Sequence, residues 1–237
     1  MNQDKLIHVY FMPGMAANPS IFEHIKLPEN QFKMHWLEWK IPILKESLKE
    51  YTTRMLADVH HENPVLIGVS FGGVIVQEMS KQIRVKRLIL ISTVKNKFEL
   101  PTSMRFAKKT ALYKILPTSL VDKIEGLEKL PVGNYLTKRA QLYQQYLSVS
   151  DQTYIDWALE QMLFWDQEDT LPNVIHIHGD KDIIFPHKNI KDCITIKNGT
   201  HIMVVDRFRW FNEHLPELIL EGKMKKKKVE KESVKPK

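Results

Sequence analysis

The chain has 237 residues, 43% of them hydrophobic and 27% charged, the composition of one globular α/β domain with room for a smaller insertion rather than of two independent domains. Its formal charge of +7 is concentrated near the C-terminal end, where residues 222–237 carry eight lysines against Glu230 and Glu232, leaving about +1 on residues 1–221. A near-neutral body without a basic recognition helix or an aromatic platform argues against a nucleic-acid partner, and apolar runs as short as Val65 to Val69 argue against a membrane span.

In chain order, Leu6 to Phe11 reads as a strand, followed by the tight loop Met12-Pro13-Gly14-Met15-Ala16 and a short helical segment from Pro19 to Ile25. Phe32 to Leu37 is a second strand. Ser47 with Glu50 three residues on has capping-box spacing, and Leu48, Tyr51, Met55, Leu56 and Val59 give the helix it opens one apolar face. That helix ends before Asn63-Pro64, a turn signal.

Val65 to Val69 is a β-branched apolar run of buried-strand length, and Phe71 to Gln82 reads as a helix. Between them stands Gly68-Val69-Ser70-Phe71-Gly72, a G-x-S-x-G string at a strand-to-helix junction, where a tight turn holds the serine out in a strained conformation. Side chains at Gly68, Gly72 and Gly73 would collide with the neighbouring strand and helix. The helix start points free amides and its positive dipole end toward the serine oxygen. Val85 to Ser92 is a further strand, so the order implies a mostly parallel α/β sheet with helices on both faces.

Residues 98–169 break this rhythm with no convincing strand. Met104, Ala107, Ala111, Leu112 and Ile115 keep helical spacing; Pro117, Pro131 and Gly133 punctuate; residues 136–147 and 151–164 are again helical. The segment reads as an inserted helical cap whose aromatic residues, Tyr146, Tyr154, Trp157 and Trp165 among them, chiefly pack the cap itself, the remainder lining an apolar pocket over Ser70. The sheet resumes at Val174 to His178 and ends near Cys193 to Lys197, with a final helical region from Met203 to Leu220 that Pro216 is expected to kink or restart. The expected organisation is a core of residues 1–97 and 170–221, a cap of residues 98–169, and a disordered, solvated, lysine-rich tail at residues 222–237. The single cysteine, Cys193, allows no intramolecular disulfide, and the first five residues lead into a strand without a signal-peptide core, so the expected compartment is the cytoplasm.

A serine hydroxyl needs a base, and the base needs an orienting carboxylate. His201 alone among ten histidines lies in a Gly-containing turn directly after the last strand, in Asn198-Gly199-Thr200-His201. The turn after Val174 to His178 offers two acids, Asp180 and Asp182, whereas the turn after the Val85 to Ser92 strand offers none.

With these residues, from about 5 to 220, the chain resembles the α/β-hydrolases, whose order is serine, acid, histidine. The family carries its acid in an H-G-x-x-D-x-x-x-P turn, matched by His178-Gly179-Asp180-Lys181-Asp182-Ile183-Ile184-Phe185-Pro186, so the resemblance implies Asp182 as the acid and Asp180 as a turn residue. It implies His201 as the base, from a G-x-H-type turn, and an oxyanion hole made by the amides of Phe71 and Met15. Here the chain departs from the usual H-G-x-x loop and reads Pro13-Gly14-Met15-Ala16. His176-Ile177-His178-Gly179-Asp180 is similar to the start of a metallo-β-lactamase motif, but Lys181 replaces its last histidine, and neither metal nor cofactor is expected. The implied activity is cleavage of an ester or thioester of a small, largely apolar substrate. A catalytically weak ligand sensor and a carbon-carbon bond hydrolase are the alternatives on the same scaffold.

Overall fold

The computed structural model describes residues 6–110, Tyr146 and residues 149–224. Strands β1 (Ile7–Met12), β2 (Phe32–Trp36), β3 (Val65–Val69), β4 (Arg87–Ile91), β5 (Val174–Gly179) and β6 (Ile194–Ile196) form one sheet in the order β2-β1-β3-β4-β5-β6, with every neighbouring pair parallel. The chain moves out from β1 to β2 and then returns past β1 to β3, so the loops after β1 and β3 leave the sheet side by side. Such a reversal opens a crevice at the carboxyl ends of the strands, where α/β sheets bind their ligands.

Side chains alternate along each strand and feed two separate cores. Val9, Phe11, Val65, Ile67, Ile89 and Ile177 join Phe211, Leu215 and Leu218 on one face. Tyr10, Met12, Leu66, Leu88 and Leu90 join Tyr51, Met55, Val74 and Met79 on the other. This double burial explains why the strands read as continuous apolar runs rather than alternating ones.

The helices are α1 (Leu48–Met55), α2 (Phe71–Ser80), α3 (Thr102–Thr110), α4 (Gln152–Phe164), α5 (Met203–Asp206) and α6 (Phe208–Glu221). At α1 both halves of the capping box form: the Glu50 amide donates to Ser47 Oγ at 3.3 Å, and the Ser47 amide donates to Glu50 Oε2 at 2.9 Å. The final helical region breaks at Arg207 (φ −113°, ψ 23°), and Pro216 lies inside α6. Proline deletes one helical hydrogen bond, but Phe211, Leu215, Leu218 and Ile219 are fully buried around it, and their packing outweighs a local cost of about 3 kcal/mol. Of the expected cap, α3, Tyr146 and α4 are described; residues 111–145, with Tyr113, Pro117, Pro131 and Gly133, lie outside the described residues, as does the tail from residue 225. Among the described residues, no helix is long and apolar enough to cross a membrane.

Aspartate Asp151 caps α4 by accepting from the Tyr154 amide at 2.9 Å, and Tyr154, Ile155, Ala158 and Met162 turn inward. The Tyr154 ring packs on Trp39, and Trp157 meets Tyr51 while its indole N–H donates to the Glu46 carbonyl at 2.8 Å. Trp165 donates to Glu78 Oε1 at 2.8 Å. These aromatic residues anchor α4 to the core beside α1 and α2.

On β5, His176 is 2% exposed. Burial first, then the neighbouring His178, Lys95 and His187, push its pKa well below the ordinary imidazole value, against a weaker opposing effect of the Thr93 backbone. The unfolded chain therefore takes up this proton first as pH falls below about 6.5, so the contribution of a neutral His176 to stability is lost on acidification. The expected result is a melting temperature that drops between about pH 7 and about pH 5, with a shallower slope in His176→Leu. An equal slope in the variant would remove His176 from the account.

Candidate active site

Ser70 stands between β3 and α2 at φ 53°, ψ −124°, outside the regions that L-residues favour. Such a conformation costs about 1–3 kcal/mol and persists only where the surroundings fix it. Here the Ser70 amide donates to the Ile91 carbonyl at 3.0 Å, and its own carbonyl accepts from the Gly73 amide at 2.9 Å and from Thr93 Oγ1 at 2.6 Å. Two glycines make the turn sterically possible. A Cβ on Gly68 would lie 2.3 Å from the Gly72 carbonyl oxygen, and one on Gly72 would lie 2.2 Å from the Pro13 carbonyl oxygen.

The Ser70 side chain does not cap α2. Instead its hydroxyl lies 2.9 Å from His201 Nε2, while His201 Nδ1 lies 2.9 Å from Asp182 Oδ2 and 3.1 Å from Oδ1. A carboxylate can only accept, so Nδ1 carries the proton and Nε2 is left as the acceptor facing the hydroxyl. Asp182 Oδ1 also accepts from the Ile184 and Phe185 amides, each at 2.9 Å, which fixes the carboxylate in its turn. Phe185 is buried and sets its ring edge-on to His201, centroids 5.4 Å apart. Facing glycines let the acid and base loops approach closely, since a Cβ on Gly179 would lie 2.2 Å from the Gly199 carbonyl oxygen, and the Lys181 amide joins them by donating to that oxygen at 2.9 Å.

His178 Nε2 lies 3.5 Å from Asp182 Oδ2, but its N–H donates to the Phe185 carbonyl at 2.8 Å. Burial lowers its pKa, so it stays neutral and does not compete with His201 for the Asp182 charge. His176 Nε2 lies 3.3 Å from His178 Nδ1 with both rings buried, an internal pair rather than an open ligand set. Asp180 makes no hydrogen bond to His201: its amide donates to the Ile196 carbonyl at 3.2 Å, as expected of a turn residue, and its buried Oδ1 has no hydrogen-bond partner among the described residues.

The structure thus brings Ser70, His201 and Asp182 together, with Gly14 and Met15 of the β1 loop beside them. A Cβ on Gly14 would lie 3.3 Å from Ser70 Cβ, so this loop reaches the serine closely. Phe71 is the first residue of α2, and its amide has no intrahelical acceptor by position. Trp39 was invisible as a site residue in the sequence, yet its indole N–H donates to the Gly14 carbonyl at 2.9 Å and pins that loop. The available signal was topological: Trp39 follows the carboxyl end of a strand, as do Ser70 and Asp182. Beside Ser70 and His201 lies a cavity of about 90 Å³ walled by Met15, Ala17, Ile21, Tyr146, Val204 and Val205. Tyr146 is the residue of the expected cap that lines it among those described.

No protein-family model matches the chain, and no curated protein does. Solved structures do. The esterase from Exiguobacterium antarcticum is 19% identical with a TM-score of 0.66, covering 90% of this chain and 92% of that one. MenH from S. aureus is 18% identical with a TM-score of 0.67, covering 93% and 96%. The enol-lactonase from Burkholderia xenovorans LB400 is 12% identical with a TM-score of 0.65, covering 93% and 94%. At such identities the likeness establishes the fold over nearly the whole chain.

Proposed function

We propose, proceeding from the α/β-hydrolase fold that this chain has, that it is a serine hydrolase cleaving an ester or thioester bond of a small, largely apolar substrate. The observation that carries the reading is the hydrogen-bonded line from Ser70 Oγ through His201 to Asp182, with the serine in a strained turn and its hydroxyl uncommitted to the helix. His201 Nε2 takes the serine proton as Oγ attacks the carbonyl carbon, and Asp182 stabilises the resulting imidazolium. The developing oxyanion meets the amides of Phe71 and Met15. His201 then returns the proton to the leaving alcohol or thiol, and water repeats the sequence on the acyl-enzyme. Esterase and lactonase names among the structural neighbours support the same reaction class.

Labelling with a fluorophosphonate tests this directly, because an activated serine alone reacts fast. Rapid modification that maps to Ser70 is expected. A protein that binds apolar esters but leaves the probe unreacted would instead be a ligand sensor on this fold.

The apolar cavity sets the substrate size. Its wall is apolar apart from Ser70 and His201, so it suits the alkyl part of a short acyl group beyond the carbonyl. Each methylene buried there contributes about 0.8 kcal/mol, near fourfold in kcat/KM. Across p-nitrophenyl esters, kcat/KM is therefore expected to rise from acetyl through butanoyl and to fall once the chain outgrows the cavity. A flat profile from acetyl to long-chain esters would show that this cavity does not receive the acyl group.

A further inference from the structure

Away from Ser70, the β2 edge of the sheet gathers three imidazoles that the hydrolytic site does not use. The register sets His8 of β1 against Lys33 and Tyr10 against His35 of β2. Period-two alternation then places His8, Tyr10 and His35 on the face that α1 and α2 cover. His61 arrives from the connection between α1 and β3. His8 Nδ1 lies 2.9 Å from His35 Nε2, and the His8 and His61 rings stack with centroids 3.4 Å apart. One ring nitrogen from each of the three lies within 4.8 Å of the others, and all three residues are partly exposed. Tyr10 Oη accepts from the His60 amide at 3.1 Å and lies 2.6 Å from His61 Nδ1. A phenol oxygen can accept the Nδ1 proton as well, which leaves Nε2 of His61 as its ligand nitrogen.

We propose that His8, His35 and His61 form a binding site for a zinc-type divalent cation, with Tyr10 orienting His61 and water taking the fourth position. Three imidazoles without a carboxylate are a borderline donor set, suited to zinc, copper or nickel and not to magnesium or calcium. At metal-nitrogen distances of about 2.0–2.1 Å, tetrahedral ligands stand roughly 3.3 Å apart. The His8 and His35 nitrogens, 2.9 Å apart, already stand near that spacing, and the His61 ring has to turn out of its stack on His8 for its in-plane lone pair to converge with theirs. Imidazole binds a cation only in its neutral form, so affinity should weaken on acidification. The proton shared between His8 and His35 moves to the outer nitrogen of its own ring when the cation enters, so none is lost. The bound cation clips β2, which among the described strands pairs only with β1, to β1 and to the loop before β3. Lys33 works against it by repulsion.

The test uses the full chain without an affinity tag, stripped with a chelator and titrated with zinc chloride. One zinc per chain by elemental analysis is expected, with a melting temperature that rises on zinc addition and unchanged ester hydrolysis. Affinity, read by competition with a chromogenic chelator, should fall at least about 100-fold in His35→Gln and in His61→Gln, and about tenfold in Tyr10→Phe, which keeps the ring and removes the orienting oxygen. Lys33→Gln should tighten binding. His61 lies in a loop, so its variant reports on binding even if the strand variants fold poorly. No stoichiometric zinc, equal affinity in His61→Gln, or magnesium binding as tight as zinc would each overturn the proposal.

Discussion

Ser70→Ala is expected to lower kcat by about 10⁴ to 10⁶, equivalent to roughly 5.5–8 kcal/mol of transition-state stabilisation. The substitution removes the attacking oxygen and nothing else of size. Alanine keeps the Cβ, so the backbone strain at φ 53° is the same, and the amide and carbonyl bonds to Ile91, Gly73 and Thr93 do not involve the hydroxyl. His201 loses its partner at Nε2, but its side chain is 20% exposed, and water can replace the hydroxyl. The melting temperature should therefore stay near that of the parent. Because the three groups act as a unit, Ser70→Ala/His201→Ala should be no slower than Ser70→Ala alone. Steady-state hydrolysis of a butanoyl ester, with preparations purified in parallel, measures both. Residual turnover within tenfold of the parent would end the covalent mechanism.

Much of this arrangement was legible because its signals are local. The strand from Val65 to Val69, the elbow after it and the capping box at Ser47 each lie within a few neighbouring residues, and the parallel character of the sheet follows from strands alternating with helices. His201 could be singled out because a Gly-containing turn at a strand end is also local. What escaped was whatever depends on distant parts of the chain. Thr93 supports Ser70 from 23 residues away, and Trp39 supports Gly14 from 25. His8, His35 and His61 come from two strands and a loop and share no spacing that a sequence motif would encode. The last helical region went wrong for a related reason: propensity placed the break at Pro216, while burial of Phe211 and Leu215 carried the helix through it.

Asp182→Asn is expected to lose about 10⁴ in kcat, and Asp180→Asn less than about tenfold. The difference follows from what each oxygen faces. Asp182 Oδ1 accepts two backbone N–H groups, from Ile184 and Phe185, while Oδ2 accepts from His201. An asparagine must keep its oxygen toward the two amides, since its NH₂ group cannot accept them. That turns the NH₂ toward His201 Nδ1 and makes Nδ1 an acceptor. The imidazole then carries its proton on Nε2, pointing at Ser70, and has no lone pair to take the serine proton. The loss therefore falls on kcat through the wrong tautomer, with the cavity walls and KM little changed. Asp180 has no part in this line; its amide bonds Ile196, and its replacement perturbs the turn and with it the melting temperature. Measured on variants of matched thermal stability, a larger kcat loss in Asp180→Asn than in Asp182→Asn would mean that the carboxylate held against His201 is not the one that orients it during turnover.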